Sequence, residues 1–288
     1  MAESQDDVRA WGADQAAALR DAQTRDGKSK THAKIIALAN QKGGVGKTTT
    51  TINLGAALVE LGASVLLVDM DPQGSLGVGL GVEANALDTT IYNLLLQDGA
   101  SVDEAIVSTA TPGLDLLPAN IDLAAAEILL VQEVAREHAL QRVLERVRDR
   151  YDFILIDCPP SLGLLTINGL SASDGVIVPL ECEYFALRGM SLLMQTLERV
   201  RERLNPGLRL EGVIATMYDG RTIHGRDVFD RVKEAFGDVV FETTIGKTIR
   251  FAEAPVAGES ILTYASSSAG AKAYRALGRE VLERSRQA

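Results

Sequence analysis

Five short apolar runs constrain the fold of this chain more than any other feature. They are Ile35-Ile36-Ala37-Leu38-Ala39, Val65-Leu66-Leu67-Val68, Phe153-Ile154-Leu155-Ile156, Gly175-Val176-Ile177-Val178 and Val213-Ile214-Ala215. None alternates with polar residues, so none has a face to turn to water, and each fits a strand buried on both sides. Stretches with helical character separate them, at 49–61, 123–150, 187–204 and 224–236. This alternation predicts an α/β fold, a mostly parallel twisted sheet with helices on both faces. Residues 34–288 read as a single domain. Residues 1–33 are rich in Asp, Gln, Ala, Arg and Ser, with Trp11 and Leu19 as their large apolar side chains. Such a segment buries too little apolar surface to offset its ordering entropy, and it is read as a disordered N-terminal tail.

Between the first run and the helix after it lies Asn40-Gln41-Lys42-Gly43-Gly44-Val45-Gly46-Lys47-Thr48-Thr49. The stretch departs from the phosphate-loop pattern G-x-x-x-x-G-K-[ST], because Gln41 stands where the first glycine belongs. It carries two cations, Lys42 and Lys47, where the usual loop carries one. Gly43, Gly44 and Gly46 let the backbone turn its N–H groups inward around phosphates, and the helix N-terminus adds the positive end of a dipole. Lys47 is then expected to reach the β/γ-phosphates, and the Thr48 hydroxyl to ligate Mg²⁺.

Two other strands end in carboxylates, at Asp69-Met70-Asp71-Pro72-Gln73-Gly74 and at Ile156-Asp157-Cys158-Pro159-Pro160. The carboxyl edge of a parallel sheet is where such folds bind ligands. A carboxylate there can hold a water of a Mg²⁺ shell or cap the following turn; beside a phosphate loop the metal and water roles are favoured.

Composition narrows the class. The net charge of −10 argues against a globally basic nucleic-acid binder but leaves room for a local patch. No apolar run is long enough to span a bilayer and the first fifteen residues contain no apolar signal core, so the chain reads as cytoplasmic. Cys158 and Cys182 fit neither a disulfide framework nor a metal spacing, and read as buried thiols.

Taken together, Lys42-Gly43-Gly44-Val45-Gly46-Lys47-Thr48-Thr49, Asp69-Met70-Asp71-Pro72-Gln73-Gly74 and Ile156-Asp157-Cys158-Pro159-Pro160 resemble the deviant Walker A, switch and Walker B motifs of ParA/Soj partition ATPases, within the wider ParA/MinD superfamily. Arg250-Phe251-Ala252-Glu253-Ala254-Pro255 resembles the same subfamily, and the resemblance covers 34–282. It implies a P-loop NTPase that uses ATP and Mg²⁺. Lys42 would be the signature lysine that contacts nucleotide held by the other subunit of an ATP-dependent homodimer. Catalysis would involve Lys42, Lys47 and Asp71; nucleotide binding would involve 42–49, and the metal would involve Thr48, Asp71 and Asp157. Met217, Tyr218 and the turn at 246–248 would meet the adenine, although Ile245-Gly246-Lys247-Thr248-Ile249-Arg250 stands where partition ATPases often read Ile-Pro-Arg-Asn-Val-Arg.

The resemblance further implies non-specific double-stranded DNA and a ParB-like centromere-binding protein as partners, and association with the nucleoid in chromosome or plasmid partition. Residues 265–288 carry five basic and two acidic side chains, a local charge of +3 in an acidic chain. Arg226, Arg231, Lys247, Arg250, Arg275 and Arg279 are the candidate DNA cations, matched against ordinary solvated helix faces.

Three other activities use related scaffolds. A MinD-like membrane-positioning ATPase needs a bulky apolar face on a terminal helix, but Tyr274, Leu277, Val281 and Leu282 suffice only to pack that helix on its own core, so no stable membrane association is expected. An iron–sulfur reductase needs paired cluster cysteines, which are not evident. An ATP-dependent ligase needs a small-substrate pocket to which no motif points.

Overall fold

The computed structural model describes residues 32–97, 99–183 and 186–287. The tail expected over 1–33 lies almost wholly outside them. Eight strands form one sheet: β1 (Lys34–Leu38), β2 (Val65–Asp69), β3 (Val107–Ser108), β4 (Leu114–Leu117), β5 (Phe153–Asp157), β6 (Gly175–Glu181), β7 (Arg209–Tyr218) and β8 (Val240–Gly246). Their order is β3-β4-β2-β5-β1-β6-β7-β8, parallel throughout except for the antiparallel β3–β4 edge. All five apolar runs fall on strands, and β3, β4 and β8 are additional.

Side chains on β1 alternate between two cores. Ile35 and Ala37 join Leu66, Ile154 and Val176 on one face; Ile36 and Leu38 join Leu67, Leu155 and Ile177 on the other. Helix α1 (Lys47–Glu60) covers the second face, and α2 (Ser75–Gly79) follows β2. Next come α3 (Leu123–Leu129), α4 (Ala139–Glu145), α5 (Leu164–Ser171), α6 (Ala186–Arg203), α7 (Ile223–Phe236) and α8 (Ala269–Gln287).

Helix α8 closes the second core. Tyr274, Leu277 and Val281 are buried in it, and the Tyr274 hydroxyl lies 3.2 Å from Thr50 Oγ1 on α1. Each such apolar side chain contributes about 1.5–3 kcal/mol when withdrawn from water. The apolar face of this helix is therefore spent inside its own fold, as its few large residues predict.

The helix expected over 123–150 is not continuous. It is divided into α3, α4 and short 3₁₀ turns, with Ala135 at φ 52. Asn168 on α5 supplies a physical reason, since its Oδ1 accepts the Leu140 N–H at 3.1 Å and its Nδ2 donates to the Arg136 carbonyl at 2.9 Å. Backbone groups that would extend one helix are bound by a side chain from another.

Candidate nucleotide site

Three strand ends converge at the carboxyl edge. In the ladder Leu38 of β1 and Asp69 of β2 both pair with Asp157 of β5, so the loop after β1 opens beside two carboxylates. The chain leaves β1 toward β2 on one side while β6 lies on the other, which places the loop at the switch point where open α/β sheets bind ligands.

The loop is tethered from several directions. Asn40 Oδ1 accepts the Lys42 N–H at 3.0 Å while its Nδ2 donates to the Pro179 carbonyl of β6 at 2.7 Å. Thr216 of β7 donates through Oγ1 to the Val45 carbonyl at 2.8 Å. Gly46, at φ 85, is the N-cap of α1, a left-handed conformation that a side chain would strain. Its carbonyl accepts the Thr50 N–H at 2.9 Å and starts the helix.

Lys47 is 7% exposed, and its ammonium lies 3.5 Å from the Lys42 carbonyl. Burial lowers its pKa, while the fields of Asp157, Cys158 and Asp71 act in the opposite sense. A desolvated cation held at a helix start, with no carboxylate in direct contact among the described residues, has strong electrostatic demand for an anion. Beside it, Thr48 Oγ1 donates to Asp157 Oδ2 at 2.6 Å and Thr51 Oγ1 to Oδ1 at 3.4 Å. Burial raises the Asp157 pKa against the opposing effects of Thr48 and Lys47.

This donor set fits magnesium. A hydroxyl and a carboxylate in contact match an ion that prefers oxygen and keeps several waters, and among the described residues no group of three metal-ligating side chains forms a cage. Nucleotide phosphates and water would complete the shell.

Lys42 is placed differently. Its side chain is 47% exposed, and its ammonium lies 2.7 Å from Glu181, the last residue of β6, and 2.6 Å from Glu183 just beyond the strand. These pairs raise its pKa. The two lysines of the loop thus have distinct surroundings, one buried beside the Thr48–Asp157 pair and the other held at the surface.

Asp71 follows β2. Its N–H donates to Asp69 Oδ1 at 3.0 Å, and its own Oδ1 accepts the Gln73 N–H at 3.0 Å. Met217, at φ 50, and Tyr218 end β7, where Tyr218 pairs in register with Gly246 of β8. The two segments expected to meet a base are therefore adjacent.

Comparison with known proteins decides the family. An AAA domain model matches residues 33–210. The sporulation initiation inhibitor protein Soj of Bacillus subtilis is 51% identical over 248 residues, covering 86% of this chain and 98% of Soj. The chromosome partitioning protein ParA of Caulobacter vibrioides is 49% identical over 255 residues, covering 88% of this chain and 95% of ParA. The chain belongs to the ParA/Soj family of P-loop ATPases. Among solved structures, the cobyrinic acid a,c-diamide synthase of Mycobacterium smegmatis, with bound ATP analogue and magnesium, is 42% identical with a TM-score of 0.78, covering 88% of this chain and 96% of that one.

For a ParA/Soj ATPase, the candidate DNA cations are unequal. Lys247, Arg250 and Arg279 are exposed. Arg226 is exposed and donates to the Gly220 carbonyl at 3.2 Å, and Arg231 pairs with Asp227 at 3.2 Å. Arg275 is committed to Glu60, at 2.5 and 2.8 Å, and to Ser266. Arg284, which is not one of these candidates, donates to the carbonyls of Glu211, Val239 and Val240 and stacks over Phe241. Sequence reasoning passed over Asn40, Thr216, Glu181 and Glu183 as site residues. The only signal for the two glutamates is their place at the carboxyl end of the fourth apolar run.

Proposed function

We propose that this ParA/Soj ATPase segregates chromosomal or plasmid DNA through an ATP-dependent sandwich dimer, working in the cytoplasm on the nucleoid. The observation that carries this reading is Lys42, an exposed cation on the same loop as the buried Lys47. In a monomer the P-loop N–H groups, Lys47 and the Thr48 hydroxyl can bind ATP. A second subunit adds Lys42, whose charge would stabilise the transferring phosphoryl group in trans as an arginine finger does.

Thr48 and Asp157 would hold Mg²⁺, which neutralises charge on the phosphates when bound. The Asp71 carboxylate would orient the attacking water. Met217 and Tyr218, beside Gly246, would border the adenine. The 34–288 segment would act as one ATPase domain.

The dimer would bind double-stranded DNA without reading bases. Lys247, Arg250 and Arg279 supply exposed cations, and apposing two subunits doubles them, so ATP would switch DNA binding on through avidity. A ParB-like centromere-binding protein would stimulate hydrolysis and release the DNA. Membrane attachment through α8 is disfavoured because Tyr274, Leu277 and Val281 are buried against the second core.

The deciding experiment measures DNA affinity with ATP, with ADP and without nucleotide, alongside mass by light scattering. Dimer and DNA binding only with ATP is the expected result. DNA binding indifferent to nucleotide removes the switch. ATP-dependent amidation of cobyrinic acid, with no effect of DNA, would instead favour the chemistry for which the similar M. smegmatis protein is named.

A further inference from the structure

Asp69 is fully buried at the end of β2, and among the described residues no cation forms an ion pair with it. Burial and the neighbouring Asp157 both push its pKa up. A carboxylate so placed is costly, and an apolar residue of similar size would fit a buried strand end at lower cost.

Its hydrogen bonds indicate what the carboxylate does. Oδ1 accepts the Asp71 N–H at 3.0 Å and Oδ2 accepts the Leu76 N–H at 3.1 Å. The two bonds grip both ends of the segment 71–76. Inside it, the Gly74 N–H returns to the Asp71 carbonyl at 2.9 Å, and Asp71 Oδ1 accepts the Gln73 N–H. At Gly74 the loop runs too close to the Ala119 carbonyl, 2.9 Å from where a Cβ would stand, for any side chain to fit there. The Met70 N–H donates to the Asp157 carbonyl at 3.0 Å, which ties the start of the loop to the strand whose carboxylate meets Thr48.

We propose that Asp69 is a positioning residue for ATP hydrolysis: by accepting one N–H at each end of the 71–76 loop, it fixes the Asp71 carboxylate relative to Asp157 and the phosphate loop. The inference rests on the reading of Asp71 as the water-orienting group. It requires a carboxylate in particular. Two oxygens can accept two N–H groups at once, whereas an amide offers one oxygen and turns an NH₂ toward the second donor.

The test compares full-length wild type with Asp69→Asn and Asp71→Asn, measuring kcat and KM for ATP with Mg²⁺ and the thermal midpoint of each. Misplacing a reacting group by an ångström costs about 100-fold, so kcat of Asp69→Asn is expected to fall about 10–100-fold. Its KM for ATP should stay unchanged, because Lys47 and the loop amides are untouched. Its midpoint should fall only modestly, because the lost acceptor is offset by removal of a buried carboxyl that no cation faces. A normal kcat for Asp69→Asn beside an impaired Asp71→Asn overturns the positioning role alone. A normal kcat for Asp71→Asn overturns the reading beneath it. A joint fall of kcat and ATP affinity with a large drop in midpoint assigns Asp69 to the fold rather than to positioning.

Amide hydrogen exchange on the wild type tests the same claim without any variant. The Asp71 and Leu76 amides should be protected relative to exposed Ser75, and exchange of both at the rate of a free loop removes the clamp.

Discussion

The Lys42 ammonium sits 2.6 Å from the Glu183 carboxylate, across 141 positions of sequence, and Glu181 completes the contact from the end of β6. At 47% and 57% exposure the two side chains remain in water. Exposed pairs of this kind contribute only about 0–1 kcal/mol, so the contact places Lys42 without binding it tightly.

Lys42→Ala should therefore leave the thermal midpoint and monomer ATP affinity nearly intact. Dimer formation with ATP and stimulated hydrolysis should both fall. Light scattering and calorimetry on the same sample check this, and an ATP dimer of wild-type strength would show that Lys42 makes no contact in trans.

Lys47→Ala removes the buried cation of the cradle. Hydrogen bonds to charged groups are worth about 1.5–3 kcal/mol each, so ATP affinity should weaken about 100-fold. Calorimetric titration with Mg²⁺–ATP is the measurement, and unchanged affinity would withdraw the phosphate-loop role.

The legibility of these two lysines was unequal. Glycine spacing, the apolar run before it and the helix after it are local, and they identified Lys47, Thr48 and the strand-end Asp157 as neighbours. Glu181, Glu183 and Thr216 meet the loop across 139, 141 and 171 positions, which periodicity cannot report. The fold divides in the same way. β1, β2, β5, β6 and β7 are buried on both faces and read as apolar runs. β4 has only four residues and carries Asp115, whose carboxylate accepts the Tyr151 hydroxyl at 2.9 Å. β8 is an edge strand with Glu242 exposed and Thr243 and Thr244 half-buried, so its polar residues hide its register.

Arg250 and Arg275 should separate under mutation. Arg250 is exposed, so Arg250→Glu should lose DNA while keeping the ATP dimer. Arg275 is held by Glu60 and Ser266, so Arg275→Ala should lower the thermal midpoint with less effect on DNA. Affinity measured against salt should have a logarithmic slope of about −0.9 per phosphate neutralised, whatever the base sequence.

Cys182 offers a pH prediction. Burial and Glu181 push its thiol up to about 11. A raised pKa means that the folded state holds the proton more tightly, so this contribution to stability is full below the ordinary thiol range and is lost as pH rises toward 11. Iodoacetamide at pH 8 should label Cys182 slowly in the folded protein and quickly after denaturation. Equal rates would place the thiol in solvent.

The contact between Thr50 and Tyr274 joins positions 224 apart. Helix α1 leaves the ribosome well before the side chains that cover its outer face, which lie 224 positions further along the chain. Until α8 arrives, the helix that begins at the cradle has an uncovered apolar flank. Nucleotide affinity should accordingly mature late in synthesis, and nascent chains halted before residue 269 would be clients for chaperones rather than ATPases waiting for a partner.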